Sequence, residues 1–293
     1  MRKSNRNIQI VAYVVLTILS LICILPFILM IMSSFSAESD IIKFGYTFFP
    51  RRFSLDAYNY LWQQSDTIFR AYGITVVITA VGTFLSLSMT ILMAYPLARR
   101  DFPWRKPLTF VVFFTLLFNG GLVPTYLMYT MYLGMKNTLM ALLIPNLLMN
   151  GFNVLIARTF FMTNIPFSII ESASIDGAGE FRIFFSIIMP ISMPILATIG
   201  LFSGVGYWND WYNGLIYLTN SNLYNIQNVL NNMLMDIQFL QQNSQVASNM
   251  TTELPATTVK MAIAVIGALP ILIIYPFFQK YFVKGITIGA VKG

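Results

Sequence analysis

The chain has 293 residues, 57% hydrophobic and only 10% charged, against about 25% charged in an ordinary soluble domain. That much apolar side chain exceeds what one aqueous core can hide, so lipid is the expected solvent, and the net charge of +7 is scattered and forms no stripe of the kind that binds nucleic acid. With no histidine and a single cysteine, Cys23, the sequence has no means to build His-based zinc sites, Ser-His-Asp triads, Cys-His pairs or disulfides.

The chain opens on MRKSNR and a long apolar run from about Ile8 to Met32. A signal peptide starts in the same way, but its apolar region is roughly 7–15 residues long and ends in a small-residue cleavage site. SSFSAESD is a poor site, so the run reads as an uncleaved first membrane helix, with Cys23 a small filler within it. A membrane helix needs about 20 mostly apolar residues. The stretches that qualify are 10–32, 72–97, one from Pro107 through LTFVVFFTLLF, 138–160, one from near Pro194 to about Tyr217, and 260–278. The fold expected is therefore an all-α integral membrane protein of about six spans in a single domain.

Between the first two spans, residues 36–68 include KFGYTFFPRRFSLDAYNYLW, which is aromatic and proline-broken. A folded loop on the outer membrane surface is predicted there. The third span is interrupted by FNGGLVPTYLM, with Asn119, Gly120, Gly121 and Pro124. Broken helices at membrane depth persist where they are buried in protein or line a wet cavity. Two readings follow, a lining for a translocation path that includes Asn119, or simply the outer end of the helix.

Residues 161–194 hold an acidic, glycine-punctuated patch, ESASIDGAGEFRIFFSIIMPISMP. Asn164 is placed to cap a helix and Pro166 to sit in its first turn. Gly177 is placed as a left-handed C-terminal cap, and Glu180 begins a second helix where its charge suits the dipole. That second helix, FRIFFSIIM, is apolar on nearly every face and is expected to end at Pro190. Small residues, Ser172, Ala173 and Ala178, permit close approach by another surface, and Glu171 offers a carboxylate to a partner arginine. The competing reading is a structural or re-entrant hairpin.

Farther on, YWNDWYNGL places Tyr207, Trp208, Trp211 and Tyr212 around Asn209 and Asp210. Aromatic faces cover sugar rings while Asn and Asp bond hydroxyls, and a carboxylate near membrane depth is by default a functional candidate. An interfacial aromatic belt is the other reading. Residues 219–257 carry no Lys or Arg, and Leu223, Ile226, Leu230, Met233, Ile237 and Leu240 fall at helical spacing, which predicts an amphipathic outer helix. Residues 279–293 form the tail.

Lys and Arg favour the cytoplasmic flanks of spans. With the N-terminus inside, twelve lie inside and six outside, so both termini are expected in the cytoplasm, with 161–194 on the same side.

The 171–194 stretch resembles the EAA motif of binding-protein-dependent ABC importer permeases. ESA, Asp176-Gly177-Ala178, EFRIFF, and the Pro190 and Pro194 pair match its elements, and Ser172 departs from the usual alanine. KYFVKGITIGAVKG, YWNDWYNGLIYL and ITVVITAVGTFLSLSMTILMAYPLARRDF are similar to the maltose-type carbohydrate permeases, and FNGGLVPTYL to a complex-oligosaccharide subgroup of Gram-positive bacteria. The resemblance implies the type I importer permease fold and a place in the bacterial cytoplasmic membrane. It also implies a second homologous permease, two cytoplasmic ATPase subunits, an extracytoplasmic solute-binding protein and an oligosaccharide substrate. Residues 171–181 would form the coupling helix, with Glu171, Ser172, Ala173, Asp176, Gly177 and Ala178 at the ATPase. The tail at Lys292 and Gly293 would reach between the ATPases, and the outer loop after span five would insert toward the binding protein. No G-x-x-x-x-G-K-[ST] sequence is present, so nucleotide hydrolysis is expected in the partners and no cofactor in this chain. The competing functions are a secondary transporter or channel for a small polar solute, a membrane enzyme, a receptor-like sensor, or import of acidic, uronic oligosaccharides.

Overall fold

The computed structural model describes residues 2–242 and 255–290, with the backbone alone described for residues 2–7, 241 and 278–290. Helices dominate, and among the described residues the one β feature is an isolated bridge between Ser36 and Phe53. The chain divides into two compact units, Met1–Thr67 with Leu230–Pro270, and Ile68–Val229 with Ile271–Gly293.

In the first unit, α1 (Arg2–Ser34) is apolar on every face and exposed from Ile8 through Phe27, as befits a helix made for lipid or a partner helix. The chain then folds into two short helices, α2 (Glu38–Phe44) and α3 (Asp56–Trp62). Phe35 stacks between Phe53 and Tyr58, and Arg52 makes a two-pronged contact with Asp40 at 2.8 and 3.1 Å. Glu38 accepts the Thr257 and Thr258 amide N–H groups and the Thr258 hydroxyl. It therefore caps the start of the final helix, Ala256–Ala290, with a negative charge where the dipole favours one.

Among the described residues, three helices are long and apolar enough to cross a membrane unbroken: 8–34 within α1, α4 (Ser65–Ala98) and the start of the final helix. Three further helix pairs among the described residues are apolar enough only when taken together, each bent at a short break. The first is α5 (Arg105–Leu117) followed by Leu122–Tyr132, which opens with α6 (Leu122–Leu127), bent 115° at the break between them. The second is α8 (Gly151–Asn164) with α9 (Phe167–Ile175), bent 75°. The third joins α10 (Glu180–Ile183), a π turn at Phe184–Ile188 and α11 (Met189–Ile191) to α12 (Met193–Trp208), bent 80°. Up to six spans result, as the composition implies. Ahead of α8 lies the one-turn α7 (Met140–Leu143), and after α12 come α13 (Tyr212–Tyr217) and α14 (Ile226–Gln242). The final helix is α15.

Four expected elements differ in extent. Residues 138–160 do not form one helix, because the chain leaves helical geometry between α7 and α8 at Pro145 and Asn146, the latter at φ 62°. Asn150 then caps α8 by accepting the Phe152 and Asn153 amides. The helix begun at Glu180 does not end at Pro190. A π turn immediately before the proline widens the backbone, which relieves the clash of its ring with the carbonyl four residues back. The break comes at Ser192 instead. Span two also starts earlier than its apolar run, at Ser65, and the last helix continues past Phe278 to Ala290.

The second unit holds two cores. One gathers Ile91, Ala94 and Leu97 of α4, Val154, Ala157 and Phe161 of α8, Ile170 of α9, Ile183 to Ile188, and Ile195 to Ile199 of α12. The other gathers Ile78 of α4, Ala141 to Leu143 of α7, and Tyr207, Tyr217 and Leu218. Between them α4 and α12 share a buried hydrogen bond, Ser86 to Ser203 at 3.1 Å.

Candidate functional site

The acidic patch folds as a helix, a turn and a second helix. Ile165 and Pro166 are extended, so α8 stops and α9 starts in a new direction. Asn164 is not the cap: it is the last residue of α8, with its amide donating to the Phe160 carbonyl, and Pro166 holds the cap position. At the far end, the Ala178 amide bonds the Ala173 carbonyl and the Gly177 amide bonds the Ser174 carbonyl. Gly177 sits at φ 78°, a left-handed position that only glycine takes without strain, so the helix ends in a Schellman motif.

The expected site residues divide into two sets. Ala173 and Ala178 are half-buried and pack on the first core, so their small size serves the chain's own interior. Glu171, Ser172, Asp176 and Gly177 are exposed. Ser172 bonds its hydroxyl back to the Ser168 carbonyl at 2.8 Å. Glu171 has no hydrogen bond or ion pair among the described residues. On either side of the turn stand two exposed apolar side chains, Ile175 at 81% and Phe181 at 80%. Sequence reasoning passed over both as parts of apolar runs.

It also passed over the tether beneath the turn. Glu180 opens α10 and accepts from the Tyr95 hydroxyl and from Arg99, each at 3.0 Å. Arg99 is held in turn by Asp101 through two contacts at 2.7 and 2.9 Å. The Arg99 guanidinium hydrogen-bonded to Asp101 keeps that carboxyl below its usual range. The turn is thus tied to the end of α4 by charge as well as by packing. The signal was visible in AYPLARRDF, where two arginines and an aspartate end a span.

The aromatic segment after α12 is built differently from a sugar-facing surface. Tyr207 and Trp208 are buried, exposed by 1% and 5%. The Tyr207 ring fills the space where a side chain on Gly82 would stand, since a Cβ there would lie 2.5 Å from it, and its hydroxyl bonds the Leu143 carbonyl at 2.7 Å. Asn213 donates to the Pro145 carbonyl at 2.9 Å. The first bond takes up the Leu143 carbonyl at the end of α7, and the second joins the Leu147 amide on the Pro145 carbonyl in the break between α7 and α8. Tyr207 and Trp208 are therefore internal supports, while Asn209 and Trp211 are exposed and Asp210 is half-buried. Asp210 accepts the Asn213 amide through Oδ1, and its Oδ2 is buried with no hydrogen-bond partner among the described residues. Its backbone carbonyl takes the Asn225 amide. Asn119 is exposed and accepts the Gly121 amide at 2.9 Å, closing the turn between α5 and α6. Lys292 and Gly293 lie outside the described residues.

Residues 86–288 match the family model for the binding-protein-dependent transport system inner membrane component. The chain belongs to this family. It is a multi-pass component of the inner membrane and the permease part of an importer, which sets aside the secondary-transporter and channel readings. The permease is 40% identical to the polygalacturonan/rhamnogalacturonan transport system permease protein YtcP of Bacillus subtilis, over 99% of each chain. It is also 40% identical to Protein LplC of the same organism, over 93% of this chain and 90% of that one. Among solved structures, it superimposes with a TM-score of 0.79 on a chain of a bacterial ABC transporter involved in the import of the acidic polysaccharide alginate. That match is 28% identical and covers 95% of this permease and 98% of that chain. The fold is that of the type I ABC importer permeases, and the relatives are permease components, a class that is not itself enzymatic.

Proposed function

We propose that this permease passes an oligosaccharide from an extracytoplasmic binding protein to the cytoplasm, paired with a second homologous permease and driven by two cytoplasmic ATPases. ATP hydrolysis belongs to those partners. The twelve-to-six bias of basic residues supports cytoplasmic termini and an α9–α10 turn on the ATPase side. One observation carries the coupling reading: a turn closed by Gly177 on a packed core carries two exposed apolar knobs, Ile175 and Phe181, and an exposed Glu171 carboxylate with no partner among the described residues. Such a surface is made to be covered, with the carboxylate meeting a partner arginine and the knobs seated in a cleft.

Glu171, Ser172, Asp176 and Gly177 form the outer face of that contact, and Ala173 and Ala178 hold it on the core. Lys292 and Gly293 fit a tail that reaches between the ATPases. Closure of the ATPases on ATP would move the turn and rock the spans from inward- to outward-facing, and it can do so only through contacts that differ between the two states. For the substrate path, Asn209, Trp211 and Asp210 are the favoured candidates, with Asn119 on the broken third span. Tyr207 and Trp208 act by holding that segment in place.

A second reading, that the oligosaccharide is acidic, is favoured by the substrates named for YtcP and for the alginate importer. The test is uptake by the reconstituted transporter with its own binding protein. ATP-dependent uptake of oligogalacturonides over neutral oligosaccharides of equal length supports the acidic reading. Preference for neutral sugars removes it and keeps the main proposal. Uptake that needs neither ATP nor binding protein contradicts both.

A further inference from the structure

The start of α5 borders an open cavity of about 480 Å³ whose wall includes Arg105, Lys106 and Arg158, together with Phe110, Phe113 and Leu155. Three lining side chains are cationic and none is anionic. None of the three forms an ion pair among the described residues. Arg158 gives its Nε–H to the Leu97 carbonyl at 3.0 Å, which fixes the guanidinium and leaves its terminal nitrogens without a recorded partner among the described residues. Arg105 is the first residue of α5 and Lys106 the second, so two of the three cations stand side by side at one helix end. Like charges gathered in one hollow repel unless an anion sits among them.

The apolar part of the wall says which anion. Phe110 and Phe113 are 65% and 46% exposed, and the apolar ridge continues along α5 through Phe114 and Leu117. Cations at the helix end therefore pass directly into hydrocarbon-facing aromatics. A soluble phosphate or an acidic protein surface matches only the first half of this arrangement. An amphiphile with an anionic head matches both. We propose that the hollow binds an anionic phospholipid, its phosphodiester among Arg105, Lys106 and Arg158 and an acyl chain laid along Phe110 and Phe113. The site is separate from the coupling turn and does not depend on which solute is carried.

The experiment uses the assembled transporter in nanodiscs of equal phosphatidylglycerol and phosphatidylcholine, with retained lipid measured by native mass spectrometry. The wild type should retain phosphatidylglycerol in preference. The variant R105Q/K106Q should lose about tenfold or more of that preference, since each cation near the membrane contributes roughly a factor of five. Arg158 is left in place because it braces Leu97. R105K with Lys106 intact should keep the preference, which separates charge from misfolding. Equal retention in the wild type and R105Q/K106Q would overturn the proposal. So would displacement of the lipid by millimolar inorganic phosphate alone. Equal protection of Lys106 from an amine-reactive reagent in discs of phosphatidylcholine alone would also overturn it, because a protein partner would then cover the site.

Discussion

Gly82 has no room for a methyl group, because the Tyr207 ring occupies the space where its Cβ would be. That ring cannot swing away, since it is buried and its hydroxyl is bonded to the Leu143 carbonyl. Gly82→Ala should therefore destabilise the permease by about 1–3 kcal/mol, the usual range for an overpacked core. Thermal unfolding in detergent would read it as a lowered midpoint, whereas alanine at exposed Gly73, which meets nothing within 4 Å, should leave the midpoint in place. Two ion pairs set the response to acid. The hydrogen bond from Arg52 holds the Asp40 carboxyl below its ordinary value of 3.8, and Arg99 does the same for Asp101. A carboxyl whose folded pKa is depressed adds stability that is fully present above its unfolded pKa and is lost as pH falls through the folded one. Stability from these pairs should be level from pH 7 to about pH 5 and then decline below pH 4. In R52Q the acid-dependent part of that decline should be smaller, measured as unfolding midpoint against pH. An unchanged profile would mean that the Asp40 pair contributes nothing, as many exposed pairs do.

At the level of elements, the turn between α9 and α10 is the least replaceable piece. Its Schellman closure needs the left-handed Gly177, so Gly177→Ala should cost about 1 kcal/mol through backbone strain, with more structure lost at the turn than in the spans. Hydrogen exchange confined to residues 171–181 would report it. Exchange spread evenly along the chain would argue that the turn is not an independent piece. The spans were legible because a run of about 20 apolar residues has few other destinations. The breaks were harder to read. Pro145 and Asn146 sit within LLIPNLLMNG, where the chain stays largely apolar, and part of what holds the break is remote: the Tyr207 hydroxyl bonds the Leu143 carbonyl and the Asn213 side-chain amide bonds that of Pro145. Asn164 looked like the cap of α9 because it stands two residues before Pro166, but it ends α8 and Pro166 itself holds the cap position. Pro190 looked like a stop, and a π turn carries the helix through it. In the site, Gly177 and Glu180 were readable from local rules of helix ends. Tyr207 and Trp208 were not, because aromatic residues at a span end fit a sugar path, a membrane belt and a core equally well until packing chooses. Arg99 and Tyr95 lie more than eighty residues before the Glu180 they hold, a distance that no local pattern crosses.

For the molecule as a whole, the account joins a membrane permease of an established family to a proposed route for force. That route runs from the ATPase surface to Glu171, through the α9–α10 turn and its Arg99 tether, into the core shared by α4, α8 and α12. It makes the carboxylate of Glu171 a contact with another subunit, since it has no hydrogen-bond or ion-pair partner among the described residues of its own chain. Removing it should leave the fold alone and break the link between hydrolysis and transport. The most direct test is reconstitution of the complete transporter with wild type and with Glu171→Ala, measuring uptake and ATP hydrolysis stimulated by the loaded binding protein in the same vesicles. The account predicts a normal unfolding midpoint, with both uptake and stimulated hydrolysis reduced by about tenfold or more, the scale of one lost charge-assisted hydrogen bond. Uptake and stimulated hydrolysis both equal to wild type would contradict it.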